Sequence, residues 1–280
     1  MKNIKKYGVI AAILALTLAL TACGGGNSGG ESSGEGDGDK TIKVAATPAP
    51  HAEILNSVKD ALANEGWTLE VIEFEDYILP NVATTDGEVD ANYFQHQPYL
   101  DDYNAKNGTD IVNAAAIHYE PLGVYKCTKD SFDALEDGDK VGVPNDATNE
   151  ARALQLLAAN GVIKLKDGVG LEATKQDVVE NPKNLDIVEL EAATIPAARP
   201  DLALAVINGN YAIGAGIDSA DALTFESSDS EAAQTFANII ACANGNENSE
   251  KVQALIAALK TDEVKKFIEE KYGDSVKAMF

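Results

Sequence analysis

The sequence predicts an α/β protein of two lobes with a ligand cleft between them, and three observations predict it. Short β-like runs alternate with helical apolar stripes from Thr41 to the C-terminus. The chain has 280 residues, and a domain usually takes about 100–200, so two lobes suit the length better than one sheet. Hydrophobic residues make up 45% of the chain, enough to give each lobe a core. Strands regularly separated by helices argue for sheets with helices on their faces, here expected to be largely parallel.

The first segment is a secretory signal. Lys2, Lys5 and Lys6 open it, and Gly8 to Thr21 then carries no charge. Such a basic start followed by an apolar run is removed on export, and the run is shorter than the ~20 residues of a spanning helix. It ends in Leu20-Thr21-Ala22-Cys23, which resembles a bacterial lipobox and implies acylation of Cys23, with a palmitate-type chain. Residues 1–22 are therefore the signal peptide. Losing its three lysines takes the formal charge from −23 to −26.

Residues 23–40 follow as the acylated Cys and a tether. Eight of the 17 residues from Gly24 to Lys40 are Gly, four are acidic and none is apolar. Nothing there offsets the entropy of ordering the chain. Two motif matches inside it, a G-x-G-x-x-G at Gly24 and a G-x-S-x-G at Gly30, neither follow a strand nor open a helix and are set aside.

From Thr41 the texture is globular. Ile42 to Thr47 reads as a strand. Ala52 to Asn64 reads as a helix with Ile54, Leu55, Val58, Ala61 and Leu62 on one face, and Leu69 to Phe74 as a second strand. Further strand-like runs lie at 110–116, 123–126, 140–143, 186–190, 202–207 and 237–241. Val252, Leu255, Ile256 and Leu259 make one late helical stripe. Thr261 is a candidate cap for another that carries Val264, Phe267 and Ile268.

Three polar clusters interrupt this scaffold. Asp86 to Leu100 crowds Tyr93, Phe94, His96 and Tyr99 around Pro98, which could sit at the first position of a helix, a place for ligand contacts in α/β proteins. Alternatively, Phe94 and Tyr99 are core and His96 caps a helix. In Val143 to Leu154 a strand runs into a capped helix and sets Arg152 near its start, where a cation meets the positive end of the dipole. A ligand carboxylate would relieve that conflict through charge-assisted bonds, and so would a salt bridge to an acid such as Glu150. Asn208 closes an apolar strand and can both donate and accept, as a zwitterion requires, but Asn208-Gly209 taken alone favours a turn.

Together these segments resemble the NlpA lipoprotein family, the methionine-binding lipoproteins of ABC importers. The carriers are DGEVDANYFQHQPYL, IHYEPLGVYK, VPNDATNEARALQLL, the stretch from Asp177 to Ala212 and FANIIA, in that order from about Ile42 to the C-terminus. The resemblance implies a periplasmic-binding-protein-like type II fold over 41–280, with lobe 1 at about 41–125 plus 240–280 and lobe 2 at about 126–239. It implies capture of methionine, with L- against D-methionine left open, and delivery to a permease with its ATPase. Arg152, helped by Asn149, would clamp the carboxylate. Asn208 and Asn238 would meet the amino and carboxylate groups, and Tyr77, Phe94, His96 and Tyr99 would wall the side-chain pocket. Aromatic faces suit a polarizable thioether. His51 and His118 remain structural, and the family's topology brings Cys127 and Cys242 close enough to expect a disulfide.

Other classes fare worse. With 45 acids against 22 bases, nucleic acid is a poor partner. No Ser/His/Asp set, P-loop or H-E-x-x-H stands in context, so no enzyme and no cofactor are expected. Three scattered histidines make a metal site, and with it a metal-binding or adhesin lipoprotein, the weaker alternative. A different small apolar amino acid or a methionine dipeptide remains open as ligand, because a methylene is worth only ~1–3 kcal/mol in an apolar pocket. The protein is expected outside the cell, lipid-anchored to the outer face of the membrane.

Overall fold

A computed structural model describes residues 40–227 and 231–280. The signal peptide, Cys23 and the tether up to residue 39 lie outside the described residues. The strands are β1 (Thr41–Ala46), β2 (Thr68–Glu73), β3 (Ala91–His96), β4 (Ile111–Tyr119), β5 (Gly123–Lys126), β6 (Lys140–Pro144), β7 (Lys164–Leu165), β8 (Val178–Glu180), β9 (Asp186–Leu190), β10 (Leu204–Ile207), β11 (Ala222–Phe225), β12 (Asn238–Ala243) and β13 (Lys277–Ala278). One sheet has the order β13-β4-β12-β3-β1-β2 and a second the order β11-β5-β10-β6-β9, while β7 and β8 pair alone.

Each sheet has its own core. In the first lobe Ile42, Val44, Tyr93 and Ile240 pack under Leu55, Leu255 and Ile268 of the covering helices. In the second, Val124, Val141 and Val206 pack under Leu154 and Leu157. The chain passes from the first sheet to the second between Tyr119 and Gly123 and returns between Phe225 and Asn238. Since β5, with Tyr125, pairs in the second sheet, we draw the first crossover at 120–122.

The sheets are mixed rather than largely parallel. β1 is parallel to β2 and β3, and β6 to β9 and β10. The strands beside the crossovers run the other way: β12 is antiparallel to β3 and β4, and β5 to β10 and β11. A chain that changes sheet by a short crossover enters the new sheet from the cleft side, against the direction of strands that end there.

β3 was legible only as an aromatic cluster. It sits between β1 and β12, and all six of its residues are buried, so it carries no alternation to find. The helix expected over 52–64 breaks at Val58 into Glu53–Ser57 and Lys59–Asn64. Thr261 does cap the helix Asp262–Tyr272, accepting from the Val264 N–H. Among the described residues no helix is long and apolar enough to cross a membrane.

Cys127 and Cys242 are both free, so the bridge implied by the resemblance is not made. β5 and β12 lead away from the crossovers into different sheets. Cys242 is buried in the first core, whereas Cys127 packs in the second lobe near Tyr125 and Leu190.

Candidate functional site

The facing strand ends converge on one cavity. From the first lobe come the end of β3, the residue after β4 and the start of β12, since Asn238 lies in register between His96 and His118. From the second come the ends of β6 and β10, which are neighbours and parallel. All eight residues expected to contact ligand line this cavity: Tyr77, Phe94, His96, Tyr99, Asn149, Arg152, Asn208 and Asn238. Gln95, Glu120, Gly209 and Asn210 complete it. The lobes close tightly around it, leaving about 20 Å³, room for little more than one water. Entry of an amino acid therefore requires the walls to part.

Arg152 stands in the helix Ala147–Ala159, which Asp146 caps by accepting from the Asn149 N–H. It is 5% exposed and pairs with Glu226, not Glu150. Nε donates to both Glu226 oxygens at 2.7 and 2.9 Å, and Nη2 donates to Glu226 at 2.5 Å and to the Glu120 carbonyl at 3.0 Å. Glu226 and the Glu120 carbonyl leave Nη1 unengaged, and the Tyr119 side chain also lies against the guanidinium. The Phe236 ring lies 4.4 Å from the guanidinium carbon. Burial works against the charge, but Glu226 and Tyr119 together outweigh it, and the guanidinium stays protonated.

Two asparagine amides are held in opposite senses. The Asp146 carboxylate can only accept, so each of its oxygens takes a 3.0 Å bond from the Asn149 side-chain nitrogen and turns the Asn149 oxygen away. That oxygen accepts from the Asn208 amide at 2.9 Å and from His96 Nε2 at 3.3 Å. The Asn208 Oδ1 is thereby left buried with no partner among the described residues, in a side chain only 7% exposed. On the other side, His51 Nε2 lies 3.0 Å from Asn238 Oδ1 and 3.5 Å from Glu120 Oε1, both acceptors, so it carries the proton. Its Nδ1 then accepts from the Thr47 hydroxyl at 2.7 Å. Asn238 thus offers its amide nitrogen, a donor, and Asn208 its oxygen, an acceptor.

His96 combines both alternatives raised by the sequence. Its Nδ1 accepts from the Tyr99 N–H at 3.2 Å, capping the helix Gln97–Asn107, while the ring lines the cavity. Burial drives its pKa down to about 3, with Arg152 acting the same way. Phe94, Tyr99 and Tyr77 meet with ring centroids 5.8–5.9 Å apart, and Tyr77 donates across the cleft to Asn210 at 2.6 Å.

Asn208-Gly209 is not a turn but the junction of β10 with the helix Gly209–Gly214. A Cβ on Gly209 would stand 2.8 Å from the Glu120 Cβ, so the glycine is what lets Glu120 approach. Glu120 was not foreseen as a site residue. Its signal was a carboxylate set directly after an apolar strand and before Pro121. It accepts from His118 Nε2 at 2.7 Å, and His118 Nδ1 is held by the Tyr93 hydroxyl. Burial raises the Glu120 pKa and lowers those of His51, to about 4, and His118, to about 3. The two histidines and Glu120 lie within 4.8 Å of one another, a spacing that could hold a metal. Each of these atoms already has a protein partner, so hydrogen bonding satisfies the cluster as it stands.

Two α/β lobes joined by two crossovers, enclosing a cavity charged at one end and aromatic at the other, define a bilobal ligand-binding protein of the periplasmic-binding-protein-like kind. The chain belongs to the NlpA lipoprotein family, whose sequence profile matches residues 42–280. It is 41% identical over 245 residues to a methionine-binding lipoprotein MetQ of Bacillus subtilis, covering 85% of this chain and 87% of that one. A solved lipoprotein from Ruminococcus gnavus superposes with a TM-score of 0.85 at 56% identity, covering 86% of this chain and all of that one. A nutrient-binding protein from Burkholderia cenocepacia, solved bound to methionine, gives a TM-score of 0.80 at 43% identity, covering 85% of this chain and all of that one.

Proposed function

We propose that this protein is the substrate-binding lipoprotein of an ABC importer and that it captures methionine between its lobes. The observation that carries the reading is the fixed polarity of the cleft. Arg152 Nη1 and the Asn238 amide N–H groups offer donors for a carboxylate, while the orphaned Asn208 Oδ1, with Glu120 nearby, offers acceptors for an ammonium. A zwitterion leaving water needs both sets matched, and the aromatic end receives an apolar, polarizable side chain. Closure of the two lobes over the ligand produces the state that a permease reads.

His96 lines the cavity with both ring nitrogens committed, so it is a wall and not a free base. This supports binding without catalysis. The acyl chain on Cys23 holds the protein at the outer face of the membrane, where permease and ATPase subunits receive the ligand. Isothermal titration of the full-length protein in detergent against the free amino acids tests the reading. The expected result is 1:1 binding with L-methionine tightest. Absence of saturable binding by methionine, with another ligand class bound instead, contradicts it.

A further inference from the structure

Arg152 separates two spaces. It lines the ligand cavity and also an outer groove formed with Gln155, Leu171, Phe225, Glu226 and Phe236. Glu226 lines only the outer groove. Its carboxylate therefore holds the guanidinium from the groove side, along the Nε/Nη2 edge, and Nη1 is the nitrogen it does not engage.

The same carboxylate joins both crossovers. Glu226 directly follows β11, at the start of the return to the first lobe. One of its oxygens accepts from the Tyr119 hydroxyl at 2.9 Å and from the Leu122 N–H at 3.2 Å, both at the first crossover. Any relative motion of the lobes must flex these two segments. The direction of Arg152 is thus fixed by a group whose other bonds lie at the hinge.

We propose that Glu226 is a positioning residue that aims Arg152 at the ligand carboxylate and couples that contact to the hinge. The proposal rests on the reading that an amino-acid carboxylate occupies the cleft. A long arginine side chain has ample rotamer freedom, and a largely buried carboxylate on the Nε/Nη2 edge of the fork removes it without engaging Nη1. The opposing possibility is that Glu226 is a placeholder for the ligand carboxylate, to be displaced on binding. Its position outside the cavity argues against this, and the two ideas predict opposite signs.

The test compares L-methionine with L-methioninol, in which a hydroxymethyl group replaces the carboxylate. Both are titrated into full-length wild type, Glu226→Gln and Glu226→Asp in detergent, with ligand-free thermal melts to confirm folding. Methionine affinity is expected to fall about 10- to 100-fold in either variant, while methioninol affinity stays within about threefold. Tyr119→Phe keeps the carboxylate but cuts one hinge bond, so it should show a smaller loss of the same selectivity, readable even if the Glu226 variants fail to fold. Unchanged or tighter methionine binding, or equal losses for both ligands, would overturn the proposal. Wild type that binds no methionine would instead overturn the functional reading, and this proposal with it.

Discussion

Two buried amide clusters lie close together in this molecule, and their difference separates structure from function. In the first lobe Asn81, Asn92, Gln95 and Thr84 bond to one another: Asn81 donates to Gln95 at 3.0 Å, Asn92 to Asn81 and Thr84, and Gln95 to Asn81 and Asn92. Each amide oxygen there accepts and each amide nitrogen donates. In the cleft, Asn149, Asn208 and Asn238 are buried too, but the Asn208 Oδ1 is left over, with no partner among the described residues. Burying an unpaired polar group costs about 1–3 kcal/mol, so a fold carries it where a ligand completes the set. Leftover hydrogen-bonding capacity marks the site; the number of buried polar groups does not.

Acid should separate the two clusters most strongly. The amide set has no titrating member, whereas His51, His96 and His118 support the cleft with pKa values pushed down to about 4, 3 and 3. Below about pH 6.5 the unfolded chain takes up protons that the folded chain refuses, so unfolding free energy falls as the pH drops from 6.5 toward 4. Glu120, Asp146 and Glu150, raised by burial, act in the opposite sense, while Asp177, held low by its bonds from Thr174, acts with the three imidazoles. Thermal melts from pH 7 to pH 4 should show Tm falling; a flat profile would contradict neutral buried histidines. Next in size, Arg152→Ala should weaken methionine binding by ~2–5 kcal/mol, and equal affinity in calorimetry would remove the carboxylate assignment.

The paired prediction is sharper. Asn208→Ala should cost ~1–3 kcal/mol of affinity with a smaller fall in Tm, because the acceptor it deletes has no partner among the described residues and the Asn149 oxygen that loses the Asn208 amide still has His96. Asn92→Ala should do the reverse: it orphans Gln95 and Asn81 groups and lowers Tm, by about 2–4 °C per kcal/mol, with affinity nearly unchanged. If the two variants behave alike, the distinction between the clusters fails. Smallest, Tyr77→Phe removes the bond to Asn210 across the cleft and should weaken binding by ~0.5–1.5 kcal/mol.

Much of this was legible in the chain before the fold was known. Alternating apolar periods predicted an α/β protein, and β5 and β9 fall where the runs at 123–126 and 186–190 placed them. Arg152 was conspicuous because a cation near a helix start needs an anion, and it has one. Which anion was hidden: Glu226 stands 74 residues away in an acidic loop with no periodicity, so only the fold could select it. β3 was hidden because burial on both faces erases alternation. His51 and His118 read as structural, yet the His51 tautomer sets which way Asn238 points and His118 holds Glu120, properties of hydrogen-bond geometry that no spacing carries. The free thiols make the same point. Closeness to a crossover says nothing about which way the strands diverge from it.

The central claim is that the cleft reads a zwitterion in one orientation, and a crystal structure of the protein with L-methionine tests it most directly. The account predicts the carboxylate on Arg152 Nη1 and the Asn238 amide N–H, the ammonium on Asn208 Oδ1, and the thioether among Tyr77, Phe94 and Tyr99. Methionine bound in the reverse sense, or outside this cavity, would contradict it.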